Sequence, residues 1–153
     1  MAVTSITPFL WFDSRAEEAA NFYVALFPNS KITHISRYGD TGPGPKGSVM
    51  VVAFELMGRR FTALNGGPSQ KFSEAFSLLV DCTEQADIDR LWVALTDKPH
   101  VCGWTKDKFG LSWQIGYAGL PDLLTGPKAA KVMAAIMGMT KIDIQALKDA
   151  AGE

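Results

Sequence analysis

The stretch ITPFLWF (6–12) is dense in aromatic and β-favouring side chains and predicts a strand. After it the period changes. Ala16, Ala19, Ala20, Tyr23, Leu26 and Phe27 recur at the three- and four-residue intervals that line one face of a helix, and Pro28-Asn29 ends the pattern. Ser14 and Glu17 stand ahead of that face at capping-box spacing, so their side chains are expected to take the free amides of the helix start. Three more strands are expected over 31–38 (KITHISRY), 48–56 (SVMVVAFEL) and 60–65 (RFTALN), the last two joined by a tight turn at Met57-Gly58. The first half therefore reads βαβββ.

The order then restarts. FSLLVD (76–81) predicts a strand, and a helix over 84–96 aligns Ile88, Leu91, Trp92 and Leu95. FYVAL (22–26) is echoed by LWVAL (91–95), and Phe12-Asp13 by Val80-Asp81, at nearly the same displacement. VCGWTKD and LSWQIGY form a closing hairpin around KDKFG. This is the signature of a tandem pair in an α+β chain, with module one over about 5–67 and module two over about 72–118, within a single domain spanning 1–153. A tail over about 120–153 adds a helix at about 127–139, with Val132, Ala135, Ile136 and Met139 on one face, and a shorter one at about 143–150. Its methionines, Met133, Met137 and Met139, suit a cap on the core or a contact with a second subunit.

Composition narrows the class without naming a function. Of 153 residues 47% are hydrophobic and 20% charged, the formal net charge is -1, and no run of like charge suggests a nucleic-acid surface. No apolar run reaches the ~20 residues of a membrane helix. The start, MAVTSITPFLWF, lacks the basic residues and apolar run of an export signal, and the two cysteines, Cys82 and Cys102, form no C-x-x-C pair. The expectation is a soluble cytoplasmic protein with reduced thiols and neither nucleic acid nor membrane as partner.

Few residues carry obvious chemistry. GPGPKG (42–47) satisfies G-x-G-x-x-G, but two prolines remove amide donors and a β-branched run follows where a phosphate site needs a helix; it reads as a loop, suited to cover a pocket. His34 and His100 have no second ligand at metal-binding spacing. Nothing beside Cys102 would activate its thiol, so it reads as a packed or pocket-lining residue. In LNGGP (64–68) the glycines permit either a sharp turn or a close approach of backbone to a ligand, so Asn65 reads as a polar strand end before the turn or as a residue at the rim of a site.

Taken in order, FDSRAEEAANFYVALFPNSKI, GPGPKGSVM, LNGGP and CGWTKDKFGLSWQI resemble the PhnB-like branch of the vicinal oxygen chelate superfamily, which includes glyoxalase I, fosfomycin-resistance proteins and extradiol dioxygenases. The resemblance runs from Ile6 to the C-terminal helices. It implies two βαβββ modules forming a curved mixed sheet around a cavity, homodimers, and a divalent metal that chelates vicinal oxygens. The family's usual ligands are His or Gln, Glu, His and Glu, on the first and last strands of each module. The matching positions here are Thr7 or Pro8, Asn65, Ala75 and Gln114, with no carboxylate or imidazole among them. Neutral amides hold a hard cation weakly, so no catalytic metal of the usual kind and no resident cofactor is expected, a weakly held divalent cation being left open. Relatives are often labelled 3-demethylubiquinone 3-methyltransferases, yet no glycine-rich loop at a helix start is present for S-adenosylmethionine.

Two functions are consistent with these residues. One is a small-molecule binding protein that holds an aromatic or planar ligand among Trp11, Trp104 and Trp113, each of which reads equally as a core residue, with amide contacts from Asn65 and Gln114 and with Ser77 and Cys102 alongside. The alternative is a metal-dependent lyase, transferase or dioxygenase-like enzyme, or a metal-free one using Cys102, Lys106 or Asp107 for proton transfer. No catalytic residue is assigned.

Overall fold

The computed structural model describes all 153 residues. The chain divides into two compact units, Met1–Lys71 and Phe72–Glu153.

In the first unit β1 (Phe9–Phe12) leads into α1 (Ala16–Leu26), followed by β2 (Lys31–Arg37), β3 (Val49–Leu56) and β4 (Arg59–Asn65). The sheet order is β1-β4-β3-β2, with β1 parallel to β4 and the other pairs antiparallel. The first strand is shorter than the stretch 6–12 predicts. Pro8 has no amide to donate and only accepts, from Thr62 N–H at 3.0 Å, so the two-way ladder begins at Phe9. Met57 and Gly58 have φ of 50° and 80°, the left-handed pair that lets a two-residue turn follow the twist of the strands it joins. Ala16, Ala19, Ala20 and Tyr23 of α1 are all fully buried against β3 and β4, the alanines letting the helix lie close. Tyr23 meets Phe54 at 6.4 Å between ring centroids, and Phe54 stacks on Phe61 at 5.5 Å. Burying a side chain such as Phe54 contributes about 1.5–3 kcal/mol.

The second unit repeats that plan with β5 (Ser77–Cys82), α2 (Gln85–Leu95), β6 (Lys98–Pro99), β7 (Trp104–Lys106) and β8 (Ser112–Tyr117). Its sheet order, β5-β8-β7-β6 with β5 parallel to β8, is that of the first unit carried forward one module. The tandem βαβββ reading is thus met as two four-stranded mixed sheets. Ile88, Leu91 and Leu95 of α2 are buried, as are Trp113 and Ile115 of β8.

Three helices follow: α3 (Leu120–Thr125), α4 (Ala129–Met137) and α5 (Ile144–Ala151). The first was not expected; it is six residues long, too short to show a period, and its Pro121 sits in the first turn, where a missing N–H costs nothing. Val132 and Ile136 of α4 are buried, as their spacing predicts, while Met133 and Met137 are exposed. The tail is tied to its own unit by named bonds. Met139 and Thr140 carbonyls accept from the Cys102 and Gly103 amides, each at 2.8 Å. The Gln85 side chain donates to the Ile142 carbonyl at 3.0 Å and accepts from the Ile144 amide at 2.9 Å. Lys141 pairs with Asp89 at 2.6 Å and, with Gln85, holds that carboxyl below its ordinary range. Asp143 caps α5 by accepting from the Ala146 amide at 2.9 Å. No helix is long and apolar enough to cross a membrane.

Candidate functional site

Strand alternation decides which candidate residues meet. In the second unit Leu79, Gln114 and Trp104 form one cross-strand row, and Ser77, Ser112 and Lys106 the next row on the same face. Gln114 Nε2 donates to Ser77 Oγ at 3.0 Å, and Trp104 is the strand partner of Gln114, so these three lie on one face. In the same group Ser112 is buried and its hydroxyl has no partner.

Trp113 does not join them. Adjacent strand residues point to opposite faces, and Trp113 lies in the interior of the unit, 1% exposed, its indole N–H donating to Asp107 Oδ2 at 2.8 Å. Asp107 is itself buried, and its other oxygen accepts from the Phe109 and Leu111 amides at 2.8 and 3.1 Å. A carboxylate enclosed by three such donors holds the KDKFG turn in shape and is not placed to move protons to or from a ligand. Lys106 is likewise engaged, pairing with Glu74 at 2.6 Å and holding that carboxyl below its ordinary value.

Cys102 is half-buried, with φ of 60°, in the turn that receives the tail. Cys82 is buried, and burial pushes its thiol up, keeping it protonated near neutral pH. Native protein treated with iodoacetamide is expected to be labelled at Cys102 and spared at Cys82 by peptide mapping. Equal labelling of both before unfolding would contradict this placement.

In the first unit the two candidates part in the same way. Asn65 is paired with Phe12 and shares its helix-side face, whereas Trp11 is paired with Leu64 on the other. Asn65 Oδ1 accepts from the Ala16 amide at 2.8 Å, its Nδ2 donates to the Val49 carbonyl at 3.1 Å, and its backbone carbonyl accepts from the Tyr38 hydroxyl at 2.6 Å. The capping box expected of Ser14 and Glu17 does not form. Arg15 occupies the cap position and directs its guanidinium to Glu18 in a two-bond pair at 2.8 and 2.7 Å, and Asn65, remote in sequence, supplies the acceptor instead. Trp11 donates its indole N–H to the Gly67 carbonyl at 2.9 Å, and its ring lies where a Cβ on Gly66 would stand. The close approach that LNGGP permits is therefore made by Trp11.

The first unit also contains a cleft of about 750 Å³. One side is the start of α1 with Asp13 and Ser14 before it, another the Pro43–Pro45 loop with Ser48 and Val49, and the third the turn from Asn65 to Pro68. Gly44 lies flat on the Tyr38 ring, where any Cβ would collide. The GPGPKG loop thus lines a cavity, as its composition suggests.

The donors do not fit the metal usual in the superfamily. Asn65 has its carbonyl oxygen engaged with α1, Gln114 is a neutral amide bonded to Ser77, and no group of three or more His, Cys, Asp or Glu side chains is gathered to hold an ion.

A duplicated βαβββ unit with this strand order has the architecture of the glyoxalase-type fold. Residues 4–116 match the family model described as 3-demethylubiquinone-9 3-methyltransferase, and the chain belongs to that family, a PhnB-like branch of the glyoxalase and vicinal oxygen chelate superfamily. Among solved structures, a PhnB protein from Bacillus cereus carrying the same methyltransferase designation is 36% identical, with 75% of this chain and 100% of that one covered and a TM-score of 0.67. A Pseudomonas aeruginosa protein, 20% identical over 72% of this chain and 95% of its own, has a TM-score of 0.59. An Arabidopsis thaliana gene product, 19% identical over 76% of this chain and 99% of its own, has one of 0.51; these two share the fold. No curated protein matches the chain. The family match ends before α3, so the three tail helices lie outside it.

Proposed function

We propose that this protein binds a small planar, aromatic molecule on the Ser77, Trp104 and Gln114 face of its second unit, without a resident metal. The observation that carries the reading is the Gln114 to Ser77 hydrogen bond beside Trp104 in the same row. That bond uses one Gln114 N–H and one Ser77 lone pair, leaving the Gln114 carbonyl oxygen as acceptor and the Ser77 hydroxyl as donor. The Trp104 indole supplies a flat apolar surface, the usual complement to a few polar groups in a ligand site. Ser112, buried and unpartnered in the neighbouring row, adds a hydroxyl that a ligand group would satisfy.

The methyltransferase designation of the family is not carried over as an activity, because GPGPKG leads into β3 and no helix start is offered to a nucleotide-like cofactor. The same reading takes the protein as a cytoplasmic homodimer: both cysteines are unpaired, as a reducing compartment leaves them, and α4 presents Met133 and Met137 at its surface.

The test is a thermal-shift and fluorescence titration of wild type, Trp104→Ala and Gln114→Ala with planar aromatic acids and phenols, alongside metal analysis of protein purified without chelator. A ligand at about 100 times its Kd should stabilise wild type by about 2.7 kcal/mol. Either substitution should weaken binding about tenfold. Stoichiometric metal would sink the metal-free reading, and unchanged affinity in both variants would remove the site from this face.

A further inference from the structure

We propose a second site, separate from the face above: the cleft of the first unit takes a small organic cation, an amine carried on a flat apolar body. At about 750 Å³ the cleft lies within the range that encloses small molecules. Pro43, Pro45 and Pro68 line it together with Val49 and Tyr38, a wall whose fixed backbone angles lose little freedom when a ligand enters.

Charge selects the ligand. Arg15, the one cation in the lining, is held in its two-bond pair with Glu18, whereas Asp13 and Glu17 have no cationic partner. The cleft thus has at its rim two carboxylates without a cationic side-chain partner. Neutral recognition is largely taken up within the protein: Asn65 bonds the Ala16 amide and Val49 carbonyl, Tyr38 the Asn65 carbonyl, and Ser48 the Pro45 carbonyl. Carboxylates near a helix start complement its dipole, which accounts for the position of Asp13 and Glu17 in the chain. It does not account for the apolar cavity that they border. An ammonium at the rim, with its ring against the proline walls, meets both features, while an anion is repelled.

The cleft and the Trp104 face share no residue, so either site can fail without the other. Benzylamine, benzyl alcohol and benzoate present one ring with a positive, neutral and negative head, and their binding to the full chain is read by ligand-observed NMR and calorimetry at low ionic strength. In the Trp104→Ala background, which removes the other proposed site, benzylamine should bind about fivefold or more tightly than benzyl alcohol, benzoate should not bind, and added salt should weaken benzylamine alone. The double variant Asp13→Asn, Glu17→Gln should lose about tenfold in benzylamine affinity while keeping the wild-type circular dichroism, its melting temperature falling only by the few degrees that the lost helix-dipole contacts cost. Ser14→Trp, introduced on the exposed side to fill the cleft, should abolish benzylamine binding in that same background. Equal affinity for the three probes, no benzylamine binding up to about 10 mM, or a double variant that binds like wild type would overturn the proposal.

Discussion

Replacing Asp107 with alanine is expected to lower the unfolding free energy by about 3 to 5 kcal/mol, the range for breaking a buried, charge-assisted network. Three donors lose their acceptor at once: the Trp113 indole N–H and the amides of Phe109 and Leu111. Asp107 and Trp113 are 2% and 1% exposed, so water reaches the vacated site only if the turn opens. Asp107→Asn should cost less, because its carbonyl still accepts from the two amides while its NH2 faces the indole N–H. Urea unfolding followed by tryptophan fluorescence gives both values. An alanine variant with the wild-type midpoint would show that these bonds are not what holds the KDKFG turn.

A second large effect is expected at Asn65. Its alanine variant should lose about 2 kcal/mol, combining a lost helix cap with a Val49 carbonyl that loses its donor. The same variant separates a structural amide from a metal ligand. Thermal shifts with Mg²⁺, Mn²⁺, Co²⁺ and Zn²⁺ should be the same for Asn65→Ala and wild type. A divalent-ion stabilisation present in wild type and absent from the variant would return Asn65 to the role its position in the family suggests.

What could be read in the chain depended on how local its cause was. The buried faces of α1, α2 and α4 follow from their own spacing, and the Met57-Gly58 turn from the two residues that make it. The capping box failed for the opposite reason. Ser14 and Glu17 have the right spacing, but Asn65 arrives from β4 and takes the amide, which no window around residue 14 could reveal. Trp113 and Gln114 differ again: period-two alternation, legible in the chain itself, puts neighbours on opposite faces of a strand, so the two cannot meet one ligand from the same side. Asp107 looked like a proton carrier because carboxylates often are; only its three donors show it to be a fastener. Neither β6, two residues long, nor α3 is long enough to display a period.

The strand order has a consequence for how the chain is made. β3 and β4 are joined by two residues and can zip at once, but β1 pairs with β4, so Phe9 must await Thr62. Closing so long a loop is slow compared with forming a hairpin. During synthesis β1 is the first strand to emerge and the last in its unit to find a neighbour, and β5 repeats that delay with β8. In each module the first strand is therefore the one that closes the sheet, having no strand neighbour until the final strand has left the ribosome.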